Sequence, residues 1–440
     1  MNFTQAEQFL YSLNNLPRRE YLKDPRQCSV FLRRLQWFLD ILGNPEKKIP
    51  HYIHVTGTSG KGSVCAFLAS ILTASGKRVG ITISPHPTVI TERWCVGKTH
   101  MTQKEFCVIV ETCKKALDTY IRTSPYDMIS YFELTMAIGF LYFAQKQVDW
   151  AVIEVGCGGR YDASNVIPKK DIAIITTIGL DHVDILGPTK KHIAIEKAGI
   201  ITPGCHVFTT VTAPSLLPII QNESYKKKAL LHLLRFSPRI SYTLSSKGME
   251  FTYEGKKFHL RAPGAHQIHN ALLAREVALS LGIQEQHIHH GLAQTILPAC
   301  VETVSTVPYI ILDSAHNVDK MKATVDAICE LRKSANMRIH LLLGFSDNKD
   351  ITAMIKQLMT LKPRSVACTR NTANPFRKAA SQSRIEALVK KISPHASTEV
   401  FLDPKDALLW SRKQMQHRDI LLITGSLFVS GELRALFHTK

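Results

Sequence analysis

HVTGTSGKGS, residues 54–63, is a glycine-rich segment with one lysine and one serine, and it decides how the surrounding chain folds. The β-branched and aromatic residues that lead into it predict a strand, and the apolar run at residues 64–75 predicts a helix. Glycines at 57, 60 and 62 let the backbone and the helix N-terminus approach a polyphosphate closely. A glycine-rich turn between a strand and a helix predicts a phosphate-binding loop.

Two side chains of this loop carry the predicted chemistry. Lys61 would reach the β- and γ-phosphates of a nucleotide, and the Ser63 hydroxyl would bind Mg²⁺. The pattern departs from the usual G-x-x-x-x-G-K-[ST], because Val55 replaces the first glycine and Gly62 separates the lysine from the serine. We interpret the segment as a shorter variant of that loop; the alternative is a tight turn that binds no ligand.

Length and composition indicate a globular chain with more than one core. The 440 residues, 45% of them hydrophobic, suggest two or three domains. The first residues lack a basic start followed by an apolar stretch, and the longest apolar run, 134–144, is too short to span a bilayer. We therefore expect a cytoplasmic protein with no membrane partner. Ten cysteines without a C-x-x-C pair, including Cys65, Cys107 and Cys329 in apolar runs, predict reduced and buried thiols.

The formal charge of +19 raises the question of a nucleic-acid partner. The lysines and arginines are spread along the whole chain, the densest clusters are short, and no aromatic-basic motif accompanies them. A positive surface also concentrates small polyanions such as ATP near the protein. We expect small-molecule substrates and no nucleic acid.

Strand and helix patterns alternate after residue 51, following two amphipathic helices at residues 4–13 and 29–42. Such alternation predicts an α/β fold in which helices cover a parallel sheet. The predicted strands of this first series are residues 51–55, 78–83, 150–155 and 172–178. Each is followed by a polar cluster, so the clusters would meet at the carboxyl edge of the sheet, where ligands bind.

A short antiparallel pattern at residues 240–261, with turn signals at 247–248 and 254–255, predicts a small β layer flanking the first domain. A proline-containing, structure-poor stretch near residues 297–308 follows it. The strands predicted beyond this stretch are residues 309–312, 338–343, 365–368, 399–401 and 419–423. They indicate a second, Rossmann-like α/β domain, and the absence of G-x-G-x-x-G argues against a dinucleotide.

Three residues after the strands are candidates for metal chemistry. Glu154 ends a predicted strand before a glycine turn, where its carboxylate could hold Mg²⁺. His182 follows the next strand, and Lys197 lies in a helix predicted to begin near Thr189. Taken singly, Glu154 could equally be an ion-paired or packed residue, and His182 and Lys197 would more often have no functional role.

A series of segments occurs in the order found in folylpolyglutamate synthases and dihydrofolate synthases. They are HVTGTSGKGS (54–63), SPHP (84–87), TER (91–93), FELT (132–135), EVGCGGRYDASNVI (154–167), DHVDILGPTKKHIAIEKAGI (181–200), HQIHNA (266–271), DSAHN (313–317), GFSDNKD (344–350) and TGSLFVSGELR (424–434). The chain resembles this family of Mur-type ligases from end to end.

The resemblance implies an ATP-dependent acid–amino-acid ligase of folate biosynthesis. ATP would phosphorylate a pterin-linked carboxylate, and L-glutamate would attack the acyl phosphate. The acceptor would be dihydropteroate, a reduced folate or both, and we take both as the default. The implied cofactors are ATP, two Mg²⁺ ions, a carboxylated Lys197 and a monovalent cation, and we expect a monomer.

The resemblance also implies domain boundaries. A P-loop Mur-ligase domain with the ATP, metal and pterin sites and the small β layer would cover residues 1–297. A linker would cover 298–308. A Rossmann-like glutamate-ligase domain would cover 309–440 and close over the site.

Position by position, the resemblance assigns roles to the candidate residues. The catalytic residues would be Lys61, His182, Lys197 and His316. The ATP-binding residues would be Gly57, Thr58, Ser59, Gly60, Lys61, Gly62, Ser63, Asn270 on the adenine side and Asp313 on the ribose side. The metal ligands would be Ser63, Ser84, Glu154, His182 and Lys197, whose amine must be carboxylated because an ammonium cannot ligate a cation. The substrate-binding residues would be Asp162, Phe132 and Arg93.

One departure from the family pattern affects charge. Where the family has P-G-R-L-E, this chain has Cys300 at the position of an arginine expected to contact ATP phosphates. Arg261 and Arg275 are the candidates to replace it. Two other functions stay open at this point: another Mur-type ligase, acting on a cell-wall precursor, and a basic, nucleotide-gated RNA-binding protein.

Overall fold

The strand that leads into the phosphate loop lies inside an eight-stranded sheet. The computed structural model describes residues 1–13, 28–237, 240–245, 248–333, 337–372 and 378–438. The strands of the sheet are β1 (His51–Thr56), β2 (Val79–Thr82), β3 (Trp94–Val96), β4 (Thr99–His100), β5 (Trp150–Glu154), β6 (Ile172–Ile175), β7 (His206–Thr209) and β8 (Leu230–Leu233). Their order is β4-β3-β2-β5-β1-β6-β7-β8, and all neighbours are parallel except β2 with β3 and β3 with β4. The predicted parallel sheet is confirmed.

The helices around this sheet include the two predicted at the N-terminus. They are α1 (Phe3–Ser12), α2 (Ser29–Ile41), α3 (Lys61–Ala74), α4 (Gln103–Thr123), α5 (Tyr131–Gln145), α6 (Val183–Leu186), α7 (Lys190–Ala198), α8 (Leu217–Lys226), α9 (Ala265–Ser280) and α10 (Glu285–Gln294). One apolar core joins α1, α2, α4 and α5 to β1 and β5, and a second joins α7 and α8 to β6 and β7. These cores fix the strands whose ends form the candidate site.

Local sequence explains where the site-bearing helices begin. α3 starts directly after Gly60, whose φ of 85° lies in the left-handed region that glycine adopts without strain. α5 starts after Ser130, which forms a capping box with Glu133. α7 starts after Thr189, whose side chain accepts a hydrogen bond from the first helical turn, as the sequence predicts.

The register places the polar clusters at one edge of the sheet. Val55 pairs with Glu154 on one side and with Ile174 on the other, so β5, β1 and β6 end at the same level. β2 runs parallel to β5 and ends at the same edge. The expectation that the clusters meet there is confirmed.

A small antiparallel sheet follows, as predicted from its alternating pattern. Its strands are β9 (Tyr242–Ser245), β10 (Gly248–Tyr253) and β11 (Lys256–Leu260), in the order β11-β10-β9. Glu254 and Gly255 form the predicted turn between β10 and β11. The other predicted turn, at 247–248, lies partly outside the described residues.

A six-stranded sheet confirms the Rossmann-like pattern of the last part of the chain. Its strands are β12 (Glu302–Thr306), β13 (Tyr309–Leu312), β14 (Ile339–Leu343), β15 (Ser365–Cys368), β16 (Ser397–Val400) and β17 (Ile420–Thr424), in the order β12-β13-β17-β14-β15-β16. Its helices are α11 (Val318–Lys333), α12 (Ile351–Met359), α13 (Gln382–Ile392), α14 (Pro404–Gln414) and α15 (Leu427–His438). Only β12 is antiparallel to its neighbour.

The stretch near residues 297–308 is not structure-poor, contrary to the expectation. Residues 302–306 form β12, which pairs with β13 as an edge strand. The prolines that suggested a loop, Pro298 and Pro308, lie outside the strand, while Thr303 and Thr306 within it pair with β13.

The chain divides into two compact units. The first comprises Met1–His86, Ile90–Pro238 and His269–Leu292, and the second comprises Pro87–Val89, Arg239–Ile268 and Ala293–Lys440. The small antiparallel sheet therefore belongs to the second unit, whereas the sequence-based boundaries place it in the first domain. The boundaries at 297 and 309 stay a prediction.

The cysteines follow their prediction only in part. Cys65 is buried, Cys107 is half-buried and Cys329 is exposed on α11. Cys329 lies in an apolar run, but a helix turns successive residues of such a run toward different sides.

Within the described ranges, none of the helices combines the length and apolar composition needed to cross a bilayer.

Candidate active site

The phosphate loop is tied to the segment that follows β6. Thr58 N donates to Thr177 O at 2.8 Å, and Ser59 N donates to Thr177 Oγ1 at 3.0 Å. Thr176 Oγ1 in turn donates to Ser59 O at 2.6 Å. A Cβ on Gly57 would lie 1.8 Å from Thr176 Oγ1, so only glycine fits there. The loop is therefore fixed before any ligand arrives.

A cavity at the carboxyl edge of the sheet brings together three of the predicted catalytic side chains. Its lining residues are Thr56, Gly57, Thr58, Lys61, Val155, Gly156, Cys157, Gly158, Asp181, His182, Leu186 and Lys197. Lys61 Nζ donates to Gly57 O at 3.1 Å, so this side chain folds back over the loop. The cavity thus joins the phosphate loop to the predicted residues His182 and Lys197.

Lys197 is the most unusual cation of this cavity. It is only 4% exposed, and its side-chain amine makes no hydrogen bond with the residues that the structure describes. Burial, together with the positive charge of Lys61, lowers the pKa of Lys197 to about 7. A large fraction of the protein molecules therefore carries a neutral Lys197 amine near pH 7. The neutral amine is the form that can react as a nucleophile.

Glu154 lies beside the first turn of α3. Its Oε2 accepts a hydrogen bond from Ser84 N at 2.8 Å, and a Cβ on Gly62 would be 3.6 Å from the same oxygen. The carboxylate thus sits between the SPHP loop and the helix turn that contains Ser63. The structure therefore places Glu154 next to the backbone of Ser84 and next to Gly62, the residue before Ser63.

His182 precedes α6 in a left-handed conformation, with a φ of 49°. Its Nε2 lies 3.9 Å from Asp181 Oδ2, and its side chain is about half exposed. A non-glycine residue in this region is uncommon and points to a functional constraint. Across the described ranges, no three His, Cys, Asp or Glu side chains are arranged to hold a metal ion.

The predicted substrate-binding residues Phe132 and Arg93 lie close together, next to Gly156 of the cavity lining. The Phe132 ring packs on Gly156, where a Cβ would be 2.5 Å from Cζ. The Arg93 guanidinium is 6.0 Å from the ring centroids of Tyr131 and Phe132. His86 lies near Arg93, and burial together with that positive charge lowers its pKa to about 3. His86 is a residue that sequence reasoning missed.

The predicted nucleotide residues fall into both units. Asn270 approaches the phosphate loop, since a Cβ on Gly60 would lie 2.5 Å from Asn270 Oδ1. In the second unit, the Asp313 carboxylate accepts hydrogen bonds from Val301 N, Ala315 N, Thr324 and Thr424. His316 Nδ1 lies 2.9 Å from Ser314 O. The ATP role of Asp313 and the catalytic role of His316 stay predictions.

Arg275 does not suit the role of the missing phosphate-binding arginine. It is buried, and its two terminal nitrogens pair with Glu276 at 2.6 Å and Glu285 at 2.7 Å. Arg261 is exposed and donates to Gln294 Oε1 at 3.0 Å. Arg261 therefore stays the better candidate.

Further residues that the sequence did not indicate stabilise the elements that carry the site. Arg34 makes two hydrogen bonds to Glu133, at 3.0 and 2.8 Å, and both side chains are buried. This pair fixes the start of α5 beside Phe132. Thr176 and Thr177 lie inside the predicted strand 172–178, but the observed strand β6 ends at Ile175, so both residues follow it at the carboxyl edge of the sheet.

Lys170 holds the end of α7, the helix that carries Lys197. Its Nζ donates to Asn165 Oδ1 and to Ile200 O, while Asn165 Nδ2 donates to Gly199 O at 3.2 Å. Lys170 is 2% exposed, and burial lowers its pKa to about 7 from an ordinary value of 10.5. Lys170 therefore stabilises the end of α7 through its hydrogen bonds, while its burial disfavours the charged form of its amine.

The lowered pKa of Lys170 predicts that the free energy of unfolding rises with pH. Between pH 7 and 10.5 the unfolded chain keeps the Lys170 proton that the folded protein has lost, so folding releases a proton. From pH 7 to pH 9, Lys170 should add about 2 kcal/mol to the free energy of unfolding. Denaturant unfolding at both pH values should give a gain about 2 kcal/mol smaller in Lys170→Met than in the wild type and in Lys169→Met, which alters an exposed neighbour. Lys197, whose pKa is also lowered to about 7, adds its own gain to all three proteins. Equal gains in all three proteins would contradict the prediction.

The sheet, the fixed phosphate loop and the lysine-lined cavity define a phosphate-loop enzyme with a second α/β unit. Residues 55–278 match the Mur ligase middle domain, and residues 300–427 match the glutamate ligase domain of Mur ligases. The chain belongs to the Mur ligase family, in the branch of the dihydrofolate and folylpolyglutamate synthases. The predicted family and fold class are confirmed.

Individual relatives match over nearly the whole chain. A dihydrofolate synthase/folylpolyglutamate synthase of Bacillus subtilis is 32% identical over 418 residues, covering 92% of this chain and 94% of that protein. The folylpolyglutamate synthase of Mycobacterium tuberculosis complexed with ADP matches with a TM-score of 0.84 and 27% identity, over 100% of this chain and 98% of that one. Escherichia coli FolC in complex with DHPP and ADP matches with a TM-score of 0.77 and 26% identity, over 99% and 97%.

Proposed function

We propose that this protein is an ATP-dependent ligase that adds L-glutamate to dihydropteroate, to reduced folates, or to both. The observation that carries the proposal is the cavity that joins Lys61 of the fixed phosphate loop to His182 and Lys197. Relatives solved with ADP, and one solved with DHPP as well, support the choice of nucleotide and acceptor. The end-to-end match argues against an RNA-binding protein and against a cell-wall ligase.

The chemistry requires activation of a carboxylate. A carboxylate is a poor acyl acceptor, so ATP transfers its γ-phosphoryl group to a carboxylate oxygen, giving an acyl phosphate and ADP. The neutral amine of glutamate then attacks the acyl carbon; an amide bond forms, phosphate leaves and the amine loses a proton. Lys61 would neutralise the charge that develops on the transferred phosphoryl group.

The loop supports binding of ATP without rearrangement. Its backbone is held by contacts of Thr58 and Ser59 with Thr176 and Thr177, so the first N–H groups of α3, which follow directly, are oriented before the phosphates arrive. Asn270 lies beside Gly60 and would face the adenine.

Oxygen donors beside the loop suit Mg²⁺. The carboxylate of Glu154 lies next to Ser84 and to the helix turn of Ser63, and hard cations prefer such oxygens. A first ion would be held by Ser84 and Glu154 beside Ser63. When bound, magnesium would neutralise phosphate charge and orient the γ-phosphoryl group.

A second ion would require a change in Lys197. The buried amine lies near Lys61, and a third positive charge there would be repelled. Carboxylation of the neutral amine by CO₂ forms a nitrogen–carbon bond, releases a proton and leaves an anionic oxygen ligand. Glu154, His182 and this carboxylated Lys197 would then hold the second Mg²⁺.

A purified-protein assay with ATP, Mg²⁺ and glutamate tests the proposal. We expect ADP release that requires both glutamate and a pterin-linked acceptor, with a product heavier by one glutamyl residue. Parallel reactions with dihydropteroate and with tetrahydrofolate separate the two synthase activities. The proposal fails if neither acceptor stimulates ADP release and a cell-wall precursor does.

Cys300→Arg is expected to lower the KM for ATP about five- to tenfold, because arginine would add a charge-assisted contact to phosphate. The neighbouring backbone is already anchored, since Val301 N donates to Asp313 and Ala299 N donates to Glu302. Steady-state kinetics at varied ATP measure the effect. Cys329→Arg places the same charge at an exposed cysteine and should leave the KM unchanged. Equal KM values in both variants would show that position 300 does not face the nucleotide.

A further inference from the structure

A chain of three buried side chains runs from β1 to the turn that carries Asp162. His54 Nε2 lies 2.8 Å from Ser164 Oγ, and Ser164 Oγ lies 2.5 Å from Asp162 Oδ1. His54 and Ser164 are fully buried, and Asp162 nearly so. These hydrogen-bonded side chains therefore connect β1, the strand before the phosphate loop, to Asp162, a predicted substrate-binding residue.

The direction of the hydrogen bonds follows from charge. An ionised carboxylate only accepts hydrogen bonds, so the single hydroxyl proton of Ser164 points to Asp162. The serine oxygen must then accept from His54, which requires the proton on Nε2. Burial and the charge of Lys170 hold the pKa of His54 well below its usual range, so the imidazole is neutral. Its Nδ1 is buried and has no hydrogen-bond partner among the described residues.

Further contacts fix the orientation of the Asp162 carboxylate. Its Oδ1 also accepts from Ser164 N at 3.0 Å, and its Oδ2 accepts from Cys157 N at 2.8 Å. A carboxylate offers about four acceptor positions, and the described residues fill three of them. The remaining position belongs to Oδ2, next to the Cys157 backbone that lines the cavity.

We propose that His54 and Ser164 are positioning residues, which hold the Asp162 carboxylate so that Oδ2 accepts from an N–H group of the pterin-linked acceptor. This inference rests on the proposed function, because only that function supplies a pterin. The buried chain fixes one carboxylate rotamer, and a ligand then meets an acceptor that needs no reorganisation. A contact of this kind contributes to acceptor binding and not to phosphoryl transfer.

Ser164→Ala tests the proposal, with Ser164→Thr as the matched control that keeps the hydroxyl. We expect the alanine variant to raise the KM for the acceptor about tenfold, as for the loss of a contact to a charged group. Its kcat and its KM for ATP should change less than about twofold, because the phosphate loop is held by other contacts. The threonine variant should match the wild type.

The outcomes separate the inference from the proposed function. A wild type that shows no acceptor-dependent ADP release refutes the proposed function. An active wild type whose Ser164→Ala variant keeps its acceptor KM, or loses kcat and both KM values alike, refutes the positioning role.

A measurement on the wild type covers the case in which Ser164→Ala does not fold. Nitrogen NMR of histidine-labelled protein, with the His54 signal assigned by its loss in His54→Gln, should show a neutral ring protonated on Nε2 from pH 6 to 8. A ring protonated on Nδ1 would mean that Ser164 donates to His54 and not to Asp162, which overturns the proposal.

Discussion

Lys61→Ala is expected to lower the rate of acceptor- and glutamate-dependent ADP release by about 10³-fold. The lysine is the first residue of α3, and its Nζ lies over the loop at 3.1 Å from Gly57 O. In the proposed reaction, negative charge develops on the transferred phosphoryl group, and Lys61 would neutralise it. Initial rates of ADP formation at saturating acceptor and glutamate measure the loss.

Lys77→Ala is the matched control, since Lys77 is exposed beyond the end of the same helix. It should retain the wild-type rate, and both variants should melt at temperatures close to the wild type. Undiminished turnover in Lys61→Ala would mean that the loop is a turn without a catalytic ligand.

His182→Ala should cause a comparable loss, because His182 lines the same cavity.

The order of elements was predictable because local signals determine it. The apolar run before the loop forms β1, and the glycines place the start of α3 at Lys61. The later strands were found because buried parallel strands read as short apolar runs. β12 was missed because its residues are only partly buried and the prolines on either side suggested a loop.

Contacts between residues that lie far apart in the sequence could not be predicted from local sequence patterns. Ser59 and Thr177 are 118 positions apart, and Arg34 and Glu133 are 99 apart. Nothing in the sequence around either member indicates its partner, since sheet order and helix packing bring them together. The same holds for the small antiparallel sheet, which precedes the last part of the first unit in the chain and yet belongs to the second unit.

The electrostatic state of the site was equally hidden. Lys197 lies in a helix of low hydrophobicity, in which a lysine is usually solvated. Its burial arises from packing of α7 on the glycine turn, where a Cβ on Gly159 would be 2.7 Å from Glu196 O. The sequence could name Lys197 through the family resemblance, but only the packed structure shows an amine that has lost its ordinary hydration.

Lys197→Ala is expected to lower the same ADP-forming rate at least about 100-fold. If the residue acts as a carboxylated, anionic ligand, the alanine variant leaves a space that a small carboxylate can occupy. Addition of acetate or formate should then restore a measurable part of the activity. Initial rates at increasing carboxylate concentration give the test, with sodium chloride at equal ionic strength as the salt control.

Lys197→Arg decides between an anionic and a cationic role, because arginine keeps a positive charge at every accessible pH. An anionic role predicts that this variant is inactive and is not restored by acetate, since the guanidinium fills the space and repels a metal ion. A cationic role, in which the lysine contacts phosphate directly beside Lys61, predicts that arginine retains activity and that acetate fails to rescue alanine. The buried amine makes no hydrogen bond or ion pair with the described residues, and its pKa is lowered; both observations favour the first outcome, because a lysine kept as a cation in so enclosed a place would need a carboxylate partner.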